Sequence, residues 1–404
     1  MNRKQLILIL LAGAVLGGIG YYLNRQKAAS YERTDKLSTD KLLGDFPIND
    51  VAHDTVRQHE HVVNLVKGEA WTVKERGDYP ASASDIIELA RKLWDLRPAQ
   101  SQKIGESQLA RMELLPPDQG GATSATLVEL KDKDGKLIRS VLLGKKSMRG
   151  GGSDPMGGGG WPNGRWLYLP DKPGTAWLVS ETFNEIEPKA DRWLLKDFFK
   201  LEKIRSVAVT YPEATNSWKI SRETEGGEWK LADAGPEEQL DSGKTSSLSY
   251  AMSSPSFTDV VLAATPEQTG LDQATLISVQ TFDDFNYTMK VGQKTNDNYY
   301  FNVTVTAALP KERTAGENET PEDKERLDKE FKEKRQKLEE KLAQERKLGQ
   351  WTYLVSNWTV DSLLKERSHF LVEKKPETAP GGEKPDGAEG ESDESSPDSG
   401  SESK

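Results

Sequence analysis

Cysteine is absent from the 404 residues, which excludes disulfides, thiolate metal sites and thiol catalysis together. Histidine is scarce, at four residues, so imidazole chemistry has few places to occur. Basic charge is not in excess either. The formal net charge is -10, which argues against a general nucleic-acid binder, because neutralising phosphates takes clustered Lys and Arg. That acidity is local: from Glu373 to Lys404 ten acidic residues stand against four basic ones, and the rest of the chain is nearly neutral for its size. Reactive signatures are missing as well. There is no GxSxG elbow, no HExxH and no GxGxxG. SxxK occurs at Ser38–Lys41 and at Ser362–Lys365 without a KTG box, and so short a pattern recurs by chance.

Long apolar runs are confined to one place. Leu6–Leu23, "LILILLAGAVLGGIGYYL", holds 18 residues without a charge, about 27 Å as a helix and close to the hydrocarbon thickness of a bilayer. Arg3 and Lys4 precede it, and Tyr21 and Tyr22 sit where an aromatic belt would lie. The pattern predicts a transmembrane anchor over 1–24, with 6–23 in the cytoplasmic (inner) membrane, followed by a polar linker over 25–40. A cleaved signal peptide, with Gly18 and Gly20 before the cut, is the competing reading. Gly13–Gly17, "GAVLG", also fits the close-packing spacing of membrane helices.

Beyond the linker the same order of patterns appears twice. "LLGDF" at Leu42–Phe46 returns as "LLKDF" at Leu194–Phe198, and each leads into alternation that reads as strand, "DVAHDTVRQHEHVV" and "IRSVAVTYP". "EAWTVKE" around Trp71 answers "GEWKLAD" around Trp229, each with a Trp directed to a core. A helix follows: in the first copy Ser84 is the expected N-cap, with Ile86, Ile87, Leu89, Ala90, Leu93 and Trp94 on one stripe. The second helix is weaker and Pro255 ends or kinks it. Paired strands come next, with Gly144 answering Gly292 and a hairpin turn at "KDGK", Lys133–Lys136. "AWLVSETFNEI" then answers "TYLVSNWTVDSL". The fold class expected is α+β: two tandem, related modules of antiparallel sheet with packed helices, over 41–198 and 199–372.

Each copy carries its own enlargement. In the first, a Gly-rich loop over 149–165 falls between two strands; a phosphate-binding P-loop would need GxxxxGK[ST] passing from strand into helix, and Arg139 stands where the leading Gly should be. In the second, a charged helical insertion spans 310–348. Its stretch Pro321–Lys347 holds nine acidic and ten basic residues, and Leu327, Phe331, Leu338 and Leu342 draw one narrow seam. That seam suits either a coiled-coil partner or a solvated helix resting on its own domain. The stretch 373–404 is too polar and too rich in Pro, Gly and Ser to fold alone, so a disordered acidic tail is expected.

Candidate chemistry is thin. His59 and His61 would share a face at i,i+2 of a strand, but no third ligand accompanies them. Carboxylate pairs such as Asp283 and Asp284 are too common to carry weight. No catalytic, cofactor-binding or metal residues are assigned, and no cofactor is expected. Trp166, Trp177, Trp351 and Trp358 would serve an alternative reading, a stand-alone envelope module binding glycan or peptide, if they shared an exposed face. An unrecognised hydrolase is the third reading and would need a cleft holding a base and a nucleophile.

The ordered set "AWTVKERGDYPASASDIIELARKLWDL", "SVLLGKK", "AWLVSETFNEI", "DRWLLKDFFKLEKIRSVAV" and "TGLDQATLIS" resembles a bacterial family catalogued as domain of unknown function 4340. The likeness covers most of 40–372. The resemblance implies a single-span protein with a repeated α+β extracytoplasmic (periplasmic) part, accessory to an ABC-type export system related to gliding-motility transporters. Partners implied are the membrane and the transporter's permease or auxiliary subunits, with no nucleic acid. No catalytic residue set comes with it. "ARMEL" at Ala110–Leu114 departs from the "TGLD" of the second copy.

Overall fold

The computed structural model describes residues 40–149, 160–316 and 319–373. The expected span at 6–23, nearly all of the linker and the acidic tail beyond Glu373 lie outside the described residues. Among those described, no helix is long and apolar enough to cross a membrane. The architecture is mixed α and β, two antiparallel sheets with few helices.

The first sheet is built from β1 (His53–Gln58), β2 (His61–Lys67), β3 (Trp71–Val73), β4 (Tyr79–Pro80), β5 (Gln100–Lys103), β6 (Thr126–Lys131), β7 (Leu137–Arg149), β8 (Trp161–Tyr168) and β9 (Thr175–Val179). The second comprises β10 (Ile204–Thr210), β11 (Trp218–Ser221), β12 (Lys230–Leu231), β13 (Asp259–Val261), β14 (Thr275–Thr281), β15 (Phe285–Thr295), β16 (Asn298–Ala307) and β17 (Thr352–Ser356). Their spatial orders are β4-β3-β2-β1-β6-β7-β8-β9-β5 and β12-β11-β10-β14-β15-β16-β17-β13. With β4 set aside, the two orders agree position by position.

Local bonds recur along with the order. Ala81 bridges Leu194 as Leu240 bridges Leu371. The Ser82 N–H donates to Trp193 O at 2.8 Å and the Asp241 N–H to Phe370 O at 2.9 Å. Ala99 donates to Leu178 O and Thr258 to Leu354 O, at 2.7 and 2.8 Å. Gly144 and Gly292 are both pressed against a left-handed turn: a Cβ on either would overlap a backbone carbonyl, of Met112 in one case and Thr269 in the other. The residue after that carbonyl has positive φ in each, Glu113 at 55° and Gly270 at 68°, so "ARMEL" makes the turn of "TGLD" with a side chain where glycine is the unstrained choice.

Several sequence expectations shift. "DVAHDTVRQHEHVV" is two strands, because the chain reverses at His59, whose φ is 51°. The first helix runs Ala83–Trp94 with Ser82, not Ser84, as the N-cap accepting from the Asp85 N–H. Ile86, Leu89, Ala90 and Leu93 form its buried face, whereas Ile87 is 59% exposed. The helix expected in the second copy is short, Ser242–Ser246, capped by Asp241. At "KDGK" the turn is as expected, with Gly135 at φ 78° and Asp132 Oδ1 accepting from the Asp134 and Lys136 N–H groups. β7 and β8 run further than expected, to Arg149 and from Trp161.

The long helix spans Pro321–Arg346, started by Thr320 accepting from the Asp323 N–H and by Pro321 in its first turn. Leu338 and Leu342 pack on the core of the chain itself, so that half of the seam is spent at home. Glu345 is buried there; it accepts from Tyr287 Oη at 2.8 Å and from the Lys200 N–H at 3.2 Å. Burial raises its carboxyl above the usual range. Arg313 ties the preceding segment to Glu319 and Asp328, and Arg335 donates to Lys311 O at 2.9 Å.

One continuous hydrophobic core runs through both sheets, from Leu42 to Phe370. The connecting segment contributes Trp193, Leu194, Phe199 and Leu201, all buried. Tyr79, at the edge of the first sheet, sets its ring 5.1 Å from Trp351, 5.8 Å from Phe257 and 6.2 Å from Tyr353 of the second, all edge-on. Beside it Arg76 donates from Nε and Nη2 to the two oxygens of Asp259, each at 2.7 Å, a bidentate pair with strong geometric preference. Lys196 donates to Thr258 O at 2.9 Å and lies over the Phe257 ring, and burial lowers its pKa. At the far end of the second sheet Arg367 grips Glu238 with Nε at 3.1 Å and Nη2 at 2.6 Å, and also reaches Asp233.

Because the core is continuous, the two sheets are expected to melt in one calorimetric transition, and Tyr79→Ala to lower stability by about 3 kcal/mol through the cavity it leaves. Two separate wild-type transitions, with the Tyr79 variant altering neither, would show that the junction does not couple the halves.

Candidate functional site

The structure disperses the residues that sequence singled out. His59 lies in the β1–β2 turn and His61 opens β2, so they do not share a strand face; the reversal at His59 breaks the alternation on which that pairing rested. Among the described residues no group of three or more His, Asp or Glu side chains could hold a metal ion. Asp283 is neutralised by Lys203 at 3.0 Å and Lys334 at 2.7 Å. Lys365 pairs with Asp361 at 2.9 Å rather than with Ser362. Most of the Gly-rich segment, 150–159, lies outside the described residues, and what frames it is strand on both sides.

The four tryptophans do not make a platform. Trp166 pairs with Leu178 and Trp177 with Leu167 across β8 and β9, which puts the two rings on opposite faces of the sheet. Trp166 packs on a satellite cluster with Ile104, Leu114 and Ala176, Trp177 on the main core. Trp351 is engaged with Tyr79. Trp358 alone is well exposed.

What the first sheet does offer is an apolar groove of about 760 Å³, a size typical of ligand or side-chain sockets. It opens where the chain passes from β4 into the Ala83–Trp94 helix, beside the short 3-10 turn Ile48–Asp50. Ala83, Ile87 and Ala90 form one wall; Ile48 and Val51 face them, over Trp71. The helix buries Ile86 and Leu89 inward, and Ile87, one position on, is thereby turned to the opening. Lys67, Glu69, Asn49 and Ser84 supply its polar rim, and Ser84 Oγ is 3.0 Å from Ser82 Oγ. Such a lining suits an apolar side chain or short apolar segment. Helical periodicity placed Ile87 on the buried stripe, and nothing short of the packed neighbours would have shown the groove.

One titratable group stands out elsewhere. Asp54 on β1 is fully buried, and neither carboxylate oxygen has a hydrogen-bond partner among the described residues. Its cross-strand neighbours are Leu65 and Leu130. Arg139, in line beyond Leu130, spends its guanidinium on the carbonyls of Leu43, Ile138 and Asp45. Burial pushes the Asp54 carboxyl up to about 7. The matching place in the second sheet, between Ile220 and Val279, is held by Val207.

A carboxyl raised in the folded state binds its proton more tightly there than in the unfolded chain. Its contribution is therefore least unfavourable below about pH 4, falls as pH rises toward 7 and levels off above, a span of about 4 kcal/mol. Asp54→Val is expected to flatten that slope and to raise stability at pH 8 by several kcal/mol in urea titrations. An unchanged slope in the variant would mean that the group does not titrate as buried.

No curated protein and no solved structure matches the chain. A match to the family described as Domain of unknown function (DUF4340) extends over residues 71–274, from β3 through the junction at Tyr79 and Asp259 to the residue before β14. Spanning half of the sequence, that match makes the chain a member of this domain-of-unknown-function family.

Proposed function

We propose that the protein is a membrane-anchored accessory or scaffold component of an ABC-type transport assembly, acting by binding and not by catalysis. Its two sheets are read as tandem, related α+β modules held on the extracytoplasmic side of the inner membrane. The observation that carries this reading is the repeated strand order joined by one core, a stiff double frame with an apolar groove on one face. The uncharged run Leu6–Leu23 supports the anchor. The groove supports a binding role: its lining is apolar, its rim holds one Lys and one Glu, and its Ser84 hydroxyl is hydrogen-bonded to Ser82 instead of to a base. The seam Leu338–Leu342 is already covered, so the partner surface is assigned to the groove and not to the long helix.

Purification of the full chain from mild detergent is expected to bring down a multispan permease and its ATPase. Ile87→Glu, at an exposed position, is expected to leave the melting temperature unchanged and to reduce that recovery by about tenfold, the loss of one interface anchor. Repeated recovery of the protein without any transporter subunit would overturn the proposal.

A further inference from the structure

The β7–β8 hairpin outgrows its sheet. β6 accompanies β7 only from Leu137 to Leu143, and β9 accompanies β8 only from Arg165 to Tyr168. Past a root where Gly144 packs on Met112 and Leu114 and Gly164 on Val179, residues 145–149 and 161–163 continue as a two-stranded ribbon, paired through Ser147–Gly164, Met148–Pro162 and Arg149–Trp161. Among the described residues no third strand flanks this ribbon, which leaves its apolar residues without a core of their own. Yet its end carries Trp161, 84% exposed, and Met148, 53% exposed. Lys145, Lys146 and Arg149 are exposed behind and beside them, and no ion pair involves any of the three among the described residues.

We propose that this ribbon end is a membrane-contact element that inserts Trp161 and Met148 into the headgroup region of an anionic phospholipid surface. Two observations select lipid over a protein partner. Met148 and Trp161 occupy adjacent register positions, Met148–Pro162 and Arg149–Trp161, so they leave the ribbon on opposite faces. A protein surface would cover one face; the interfacial layer of a bilayer surrounds the end and covers both. The three cations match the second requirement, since Lys and Arg near an anionic leaflet each add attraction that falls away within a Debye length, and Trp is the residue favoured at that depth. The element is separate from the groove and from any transporter partner, so it stands or falls independently of the functional reading above.

The absence of cysteine gives a clean test. Full-length protein carrying Met148→Cys, or Thr288→Cys on the exposed side of β15 as control, is labelled with an environment-sensitive fluorophore and reconstituted in vesicles. Nitroxide-bearing lipid is expected to quench the label at 148 at least threefold more than at 288 when phosphatidylglycerol is present. Replacing phosphatidylglycerol by phosphatidylcholine, or combining K145E, K146E and R149E, is expected to bring the quenching at 148 down to the level at 288. Unchanged circular dichroism melting verifies that the charge variant is folded. Equal quenching at 148 and 288, or equal quenching with neutral lipid, overturns the proposal. So does a photo-crosslinker at position 161 that yields a protein adduct in cells and no lipid adduct.

Discussion

The edge-on packing of Tyr79 against Phe257, Trp351 and Tyr353 is the contact on which the rest of the fold depends. Each sheet buries one face in the shared core, but neither closes on itself, and an apolar sheet face requires a cover. Here the connecting segment Trp193–Leu201 and the Tyr79 ring let each sheet help to cover the other. The Arg76–Asp259 pair beside the ring contributes direction more than energy. It is partly exposed, so its Coulomb attraction is screened, but its fork geometry fixes how β4 meets β13.

The two sheets share a strand order and differ in what surrounds it. In the first, the helix after β4 is long, its N-terminal turn leaves a groove, and the second hairpin extends into a ribbon. In the second, the helix shrinks to Ser242–Ser246 and the long Pro321–Arg346 helix is laid against β16 and held by Tyr287 and Lys200 through Glu345. Asp54 and Val207 express the same divergence inside the sheet. A backbone slot that one half fills with a branched apolar side chain holds, in the other, a carboxyl that burial keeps protonated up to about neutral pH.

Much of the strand framework was legible, and for a physical reason. β14 and β15 alternate cleanly because one face is buried and the other wet, and "KDGK" announces its turn through a glycine with positive φ. The long helix was legible from its ion-pair spacing. What failed were distinctions of one or two residues: Ser82 against Ser84 as a cap, Ile87 inside or outside the stripe, and the reversal at His59. These depend on where tertiary neighbours stop, which periodicity does not encode. Asp54 was in phase with the buried Val56 and so carried a signal, but a polar residue in a short strand reads first as solvent-facing. The facing of Trp166 and Trp177 and the meeting of Tyr79 with Phe257 join positions far apart in sequence, and no local pattern contains them.

The grip of Arg367 on Glu238 marks a difference between the two sheets at one shared place. Counting back from the matching bridge residues Ala81 and Leu240, Glu238 stands where Tyr79 stands. The first sheet presents a ring there and meets the second sheet through it. The second presents a carboxylate already neutralised by its own chain. A place that joins the two sheets in the first case is, in the second, closed by an ion pair within its own segment of chain.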